Sequence, residues 1–351
     1  MILERAALDA SEWEAILDGH ADAMVFHSSA WLQFVAASQR AEPVIAVVKL
    51  DGRTCGYFVG AVVRRFGVRI LGSPLPGWVT PYMGFLLEAG VDRRAAAEAL
   101  VRFAFNDLGC LHVELNDPRL VPEQMTGSQY AVEPWVTYLV DLRPPEEEIL
   151  ARMSSHRRQY IRRAIRRGMS AEVVTDIDFA DEYFRQVGDV FTRQRLRPAY
   201  DVELVRHLIR CVQPSGQLLM LRVRDGDGSS IATMLSVGRG QTAIAWGTAL
   251  LRAHSGEHPM ELLWWESMRA WRARGATSFD MNGRVDYGGG DYKAKYGGAA
   301  VGAGRFYRSR YAVLRAGRET VRRGVRARQA ILGHFDRSRL QAAPTDADDA
   351  D

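Results

Sequence analysis

The chain has 351 residues, 47% of them hydrophobic and 25% charged, with a formal net charge of +4. This is an ordinary globular composition, and the length suits two domains that each bury a core. No apolar run approaches the roughly eighteen residues of a membrane span, and three scattered cysteines, Cys55, Cys110 and Cys211, fit neither a disulfide framework nor a metal site.

The start, Met1 to Trp13, carries Glu4, Asp9 and Glu12 and lacks a basic region before a long apolar core. A secretory signal is therefore not expected, and the protein is expected in the cytoplasm, soluble or peripheral on the inner face of the membrane. Val44 to Leu50 reads as a strand, Asp51-Gly52 as a hairpin turn, Tyr57 to Val63 as the return strand and Val68 to Leu71 as a third. Ala95 to Leu108 then reads as a helix, stopped at Gly109 and followed by a strand, His112 to Leu115. Arg143-Pro144-Pro145 interrupts regular structure. Beyond it a helix is expected to Gly168, apolar at Ile149, Leu150, Met153, Tyr160, Ile161, Ala164 and Ile165. Its other face carries Arg152, Arg157, Arg158, Arg162, Arg163, Arg166 and Arg167, which is either a solvated face or a surface for an anionic partner.

The first pattern then returns. Leu218 to Arg224, Asp225-Gly226, Ile231 to Val237 and Thr242 to Trp246 repeat the three strands at a constant offset. A helix from Pro259 to Arg274, a glycine stop at Gly275 and a strand from Ser278 to Asn282 repeat the rest. The chain therefore reads as two copies of one α/β domain, residues 1–142 and 143–310, with a tail at 311–351. Eleven arginines lie between Arg305 and Leu340, and Leu314, Val321, Val325, Leu332 and Phe335 share one helical face. That segment reads as a basic amphipathic helix, packed on the body or lying on an anionic membrane, before a disordered acidic end.

Several motifs resemble the FemAB-like proteins of the GNAT superfamily. Arg157-Arg158-Gln159-Tyr160 to Gly168 resembles the entry to their second domain. Phe279-Asp280-Met281-Asn282-Gly283, then Tyr292-Lys293 and Tyr296-Gly297-Gly298, resembles their C-terminal signature. Gly72-Ser73-Pro74 and Pro81-Tyr82-Met83-Gly84 resemble their first-domain active-face loop. The resemblance covers about residues 25–310. It implies two tandem acetyltransferase-like domains, each a mixed, mostly antiparallel sheet flanked by helices. It also implies transfer of an acyl or aminoacyl group to an amine.

Such transfer needs a neutral amine, a stabilised oxyanion, an anchored donor and a protonated leaving group. In GNAT folds the donor carbonyl lies between two splayed strands, here Thr242 to Thr248 and Ser278 to Asn282. Donor phosphates would meet the helix start at Pro259. The expected donor residues are Trp246, Gly247, Arg252, Gly256, His258 and Met260. Only Arg252 and Gly256 in the loop Arg252–His258 resemble the family's phosphate cradle. The resemblance implies a role for Lys293 in donor binding and transition-state charge. Tyr292 would orient it, Tyr296 or Tyr287 would protonate a leaving group, and Asp280 would act as base or cap the loop. His254 also flanks the donor loop. Arg193, Arg195 and Arg197 fall where relatives bind the acceptor; Tyr82 and Asn282 are further candidates. No nucleophile–base arrangement and no metal-ligand cluster is visible. Three functions are weighed: an acyl-CoA-dependent N-acyltransferase for a lipid or envelope amine, an aminoacyl-tRNA-dependent transferase, and a non-catalytic binding protein on the same fold.

Overall fold

The computed structural model describes residues 1–65, 67–193, 198, 200–283, 290–314 and 318. Within them two similar halves build one continuous sheet. The first half runs β1 (Ile2–Arg5), α1 (Ala10–Asp18), α2 (Ser29–Gln39), β2 (Glu42–Leu50), β3 (Arg53–Arg65), β4 (Val68–Ser73), β5 (Gly84–Leu87), α3 (Arg93–Arg102), β6 (His112–Leu115) and β7 (Ala131–Asp141). After α4 (Glu146–Arg152) and α5 (Ser155–Arg166), the second runs β8 (Ser170–Val174), α6 (Phe179–Arg193), α7 (Val202–Val212), β9 (Leu218–Arg224), β10 (Ser230–Arg239) and β11 (Thr242–Leu250). It ends with α8 (Pro259–Ala273), β12 (Ser278–Asp280), α9 (Gly290–Ala294) and β13 (Ala299–Ser309).

The strand order is β1-β2-β3-β4-β6-β13-β7-β12-β11-β10-β9-β8, with β5 added on β3. Neighbours are antiparallel except β4–β6 and β11–β12, the two pairs joined by a crossover helix. The last strand of each half is exchanged. β13 completes the first half against β6, β7 completes the second against β12, and β7 and β13 pair with each other. The strand before the expected boundary at residue 142 thus hydrogen-bonds only within the second half and to its last strand.

Helices α1, α2, α6 and α7 cover one face of the sheet over a core shared by both halves, including Trp31, Phe34, Leu208 and Ile209. The opposite face carries two separate cores, one under α3 with Phe58, Leu100 and Phe306, the other under α8 and α5 with Leu263, Trp264, Trp271 and Phe279. Trp271 comes so close to β10 that a Cβ on Gly238 would sit 2.8 Å from its ring, and its Nε1 donates to Ser236 Oγ at 2.7 Å.

Some expectations need correction. Asp51-Gly52 makes the tight turn, both residues having positive φ, but Asp225-Gly226 does not. There the loop spans Asp225 to Ser229: Asp225 Oδ1 accepts from the amides of Asp227 and Ser229, and Gly228 carries the positive φ. The single helix expected up to Gly168 breaks at Met153–Ser154, where the Ser154 hydroxyl caps α5, and Ile165 is 52% exposed rather than buried. The helix read from Ala95 to Leu108 ends regularly at Arg102 and passes through one wide turn, Phe103–Asp107. The strand from Ser278 stops at Asp280. The tail helix lies, apart from residues 311–314 and Arg318, outside the described residues.

Candidate active site

Strands β11 and β12 pair only at Thr242–Ser278, Ala243–Phe279 and Ile244–Asp280. Two features part them beyond that point. β11 carries a bulge, because Leu235 and Ser236 of β10 oppose Gly247 and Ala245 and leave Trp246 as an extra residue. Asn282 turns the chain away with φ of 44°. Its Nδ2 donates to Ala245 O at 3.1 Å and bridges the opening as a side chain instead of a strand. The matching place in the first half is closed. β4 and β6 pair to their ends at Ser73 and Leu115, and the amide of Asn116 continues the ladder to Ser73 O at 2.7 Å.

Lys293 on α9 stands at this opening. Its Nζ donates to Met281 O at 2.8 Å and to Asn282 O. Burial brings its pKa down to about 8, against the opposing pull of Asp280. Gly283 leaves the room: a Cβ there would lie 2.3 Å from Nζ. Asp280 is buried at the end of β12 and accepts from the Tyr82 hydroxyl at 2.8 Å, the Thr137 hydroxyl and the Asn282 amide at 2.7 Å. Burial pushes its carboxyl up, against those three hydrogen bonds and Lys293. With its oxygens so engaged, Asp280 caps the turn and stands as counter-charge to Lys293. Tyr82 is buried too, and its ring stacks on Trp135 at 5.4 Å. Burial and then Asp280 hold its hydroxyl well above the usual phenol range.

Tyr292 and Tyr296 share a hydrogen bond at 2.9 Å, and the Arg157 guanidinium lies 4.2 Å over the Tyr292 ring. Tyr296 is fully buried against Trp264, so its hydroxyl faces Tyr292 and not the opening. Arg157 also pairs with Glu261 in the first turn of α8. One turn further along α5, Tyr160 stacks on His258 with ring centres 3.6 Å apart. The start of α8 is therefore filled from within the chain. Pro259 at the first position has no amide hydrogen, Glu261 supplies an internal carboxylate to the helix dipole, and the Glu261 amide bonds to His258 O. Arg252 and Gly256 lie in the helical turn Arg252–Glu257 just before it; the Arg252 amide bonds Asp189, and His254 pairs with Glu257. Met260, the second helical residue, packs against the α8 core.

Trp246 packs between the shared core and Tyr200, with its buried Nε1 left without a partner. Gly247 lies against the Tyr183 hydroxyl, where a Cβ would come within 2.3 Å. Lys293, Asp280, Asn282, Tyr82, Trp246 and Gly247 are thus brought to one opening, whereas Tyr292 and Tyr296 support it from the side. The side chains of Arg193, Arg195 and Arg197, and Tyr287, lie outside the described residues. Sequence reasoning missed Thr137, because its partner Asp280 arrives only through the strand exchange. It also placed Arg157 among surface arginines, although Tyr292, Tyr296 and Glu261 surround it; its position one turn before an inward Tyr160 and Ile161 is the available signal.

Residues 155–296 match the family described as acetyltransferase (GNAT) domain. No curated protein matches the chain. Among solved structures, FemX superposes with a TM-score of 0.71 at 12% identity, over 87% of this chain and 97% of that one. The C-terminal domain of a protein named as a lysylphosphatidylglycerol synthetase, from Agrobacterium fabrum, gives 0.54 at 13% identity, over 89% and 93%. A tandem GNAT protein from the clavulanic acid biosynthesis pathway gives 0.52 at 15%, over 88% and 99%. At such identities the structural likeness speaks for the fold, and the family match adds the chemistry. Residues 155–296 thus match a GNAT acetyltransferase domain, and the same strand plan repeated before them gives the chain a tandem-GNAT fold like that of FemX.

Proposed function

We propose that the protein forms amides, moving an acyl group from an activated carrier to a primary amine of a lipid or envelope-linked acceptor. The observation that carries this reading is the opening between β11 and β12 with Lys293 at its mouth. The neutral amine attacks the donor carbonyl, the bond from carbonyl to carrier breaks, the amine gives up a proton and the carrier takes one. An ammonium has three N–H donors. Two of those on Lys293 are held by Met281 O and Asn282 O, which leaves one for the oxyanion of the tetrahedral intermediate. A partly buried cation in fixed geometry stabilises that charge more than water does. The lipid or envelope acceptor is supported by the likeness to a lysylphosphatidylglycerol synthetase, whose named product joins a lysyl group to a lipid.

The carrier divides two readings. An acyl-CoA thioester would run along β11 past Trp246 and Gly247, with its phosphates near Arg252, Gly256, His258 and Met260. The second reading, an aminoacyl-tRNA ester, is favoured by the start of α8, where Pro259 and the Arg157–Glu261 pair leave little for a diphosphate to bind. A ligand that binds only the folded state raises the melting temperature. Thermal-shift titrations with CoA, acyl-CoA and charged tRNA therefore separate the two, and turnover with a primary amine tests the reaction. Absence of amide formation with every carrier, alongside a shift with one of them, would favour a binding protein on this fold.

A further inference from the structure

The α5 helix has two different ends. Its first turns are tied to the site: Arg157 lies over Tyr292 and pairs with Glu261, and Tyr160 stacks on His258. Its last turns are not. Arg162, Arg163, Arg166 and Arg167 are all exposed, and none has a carboxylate partner among the described residues. This is unusual in a molecule whose other arginines are so often paired, as Arg222 and Arg224 are with Glu172 on the neighbouring edge. Arg163, Arg166 and Arg167 also complement the helix dipole, but that effect does not account for the apolar side chains beside them. Ile165 is 52% exposed, one turn from Arg162, at the margin between the buried and basic faces. On edge strand β8, Val173 is 55% exposed and shares the sheet face of Ala171, which packs in the core under α5 and α8.

We propose that this end of α5, with the adjoining edge of β8, seats the protein on an anionic lipid surface. The arginines face the headgroups, and Ile165 and Val173 enter the apolar margin. Charge alone fits any polyanion, but the aliphatic pair selects the bilayer. A nucleic-acid surface would set aromatic rings among its cations for stacking. Here the last turns of α5 carry no aromatic ring, and Tyr160, one turn earlier, is already stacked on His258. Cations beside exposed aliphatic side chains suit the headgroup–acyl boundary. The inference stands apart from the carrier and from turnover, because lipid binding is measured without either.

The test is co-sedimentation of the full-length protein with phosphatidylcholine vesicles, with and without phosphatidylglycerol. Binding is expected only to the anionic vesicles and should weaken as salt rises. Arg162→Gln, Arg163→Gln, Arg166→Gln and Arg167→Gln combined should lower the partition coefficient at least about tenfold with an unchanged melting temperature. Ile165→Asn, which keeps every arginine, should weaken binding as well. Every variant retains the tail arginines, so wild-type vesicle binding by the fourfold variant would assign the membrane to the tail and overturn the proposal. Failure of the wild type to bind anionic vesicles, or undiminished binding by Ile165→Asn, would overturn it too. So would a fourfold variant that loses tRNA binding and keeps vesicle binding.

Discussion

Burial brings the Lys293 amine to about 8, so at neutral pH about nine-tenths of it is charged. If the charged form stabilises the oxyanion, its contribution is present below that pKa and is lost as pH rises through it. The acceptor amine responds in the opposite sense, because it must be neutral to attack. The informative quantity is therefore the ratio of wild-type to Lys293→Gln activity, which is expected to fall as pH rises through about 8. A ratio that rises instead would make Lys293 a base. Lys293→Ala should reduce kcat/KM at least about tenfold, or about 1.4 kcal/mol, in a folded protein. Gly283→Ala probes the same geometry without touching the amine. Its Cβ would displace the flexible end of Lys293, so kcat should fall severalfold while stability stays within about 1 kcal/mol. Equal kcat in Gly283→Ala and wild type would show that the position of the amine does not matter. Lys293 was legible through the motif after the strand. The burial of Tyr82 was not, since a phenol in the loop after Pro81 gives no local sign of a carboxylate from the other half.

The elements that could be read were those with a strong local pattern. α8 has Trp264, Trp265, Met268 and Trp271 at helical spacing, and β9 to β11 are short, mostly apolar segments. β13 was not read, because Ala299, Ala300, Gly302, Ala303 and Gly304 have weak strand preference and are held in place by β7. The bulge at Trp246 was equally hidden, since it exists only relative to the register of β10. At this scale the contact of α5 with α8 makes a sharp contrast among the arginines. Arg157 and Glu261 are a nearly buried pair, with side-chain exposures of 11% and 6%. Arg157→Ala leaves a buried carboxylate without its cation and should cost roughly 3–5 kcal/mol in urea unfolding, whereas Arg162→Ala should stay within about 0.5 kcal/mol. Equal effects would mean that the two arginines have the same environment.

Across the whole molecule, another buried carboxylate ties Arg318, beyond β13, to the first half. Glu114 on β6 accepts from Arg318 Nε at 2.7 Å, and Arg318 Nη1 reaches Glu133 at 2.8 Å while its guanidinium lies 3.5 Å over Tyr307. Burial alone would raise the Glu114 carboxyl, but His112, Arg318 and Arg305 together hold it down to about 2. A carboxyl depressed on folding contributes stability above its unfolded pKa and loses it as pH falls through the folded one. Arg318→Ala should accordingly cost about 1–3 kcal/mol at neutral pH, and the difference from wild type should shrink as pH falls from about 4.5 toward about 2. Urea titrations at several pH values measure this, and a pH-independent difference would point to the stacking on Tyr307 instead. Cutting the chain after Tyr311 removes this anchor along with the tail, so such a truncation tests stability as well as membrane binding.

The strand exchange also governs how the protein can be made. When residue 142 leaves the ribosome, β6 still has an open edge, and its partner β13 lies more than a hundred residues downstream. β7 has already emerged, but both of its neighbours, β12 and β13, are still to be translated. Neither half can close as a unit during synthesis: the second waits for β12 to meet β7, and the first for β13, the last strand among the described residues, to enter between β6 and β7. The loop closures involved are long, which slows folding and prolongs the exposure of sticky edges. A premature stop before β13 therefore leaves the edge of β6 open even where the second half has closed on β7, so the first half stays exposed until β13 is made.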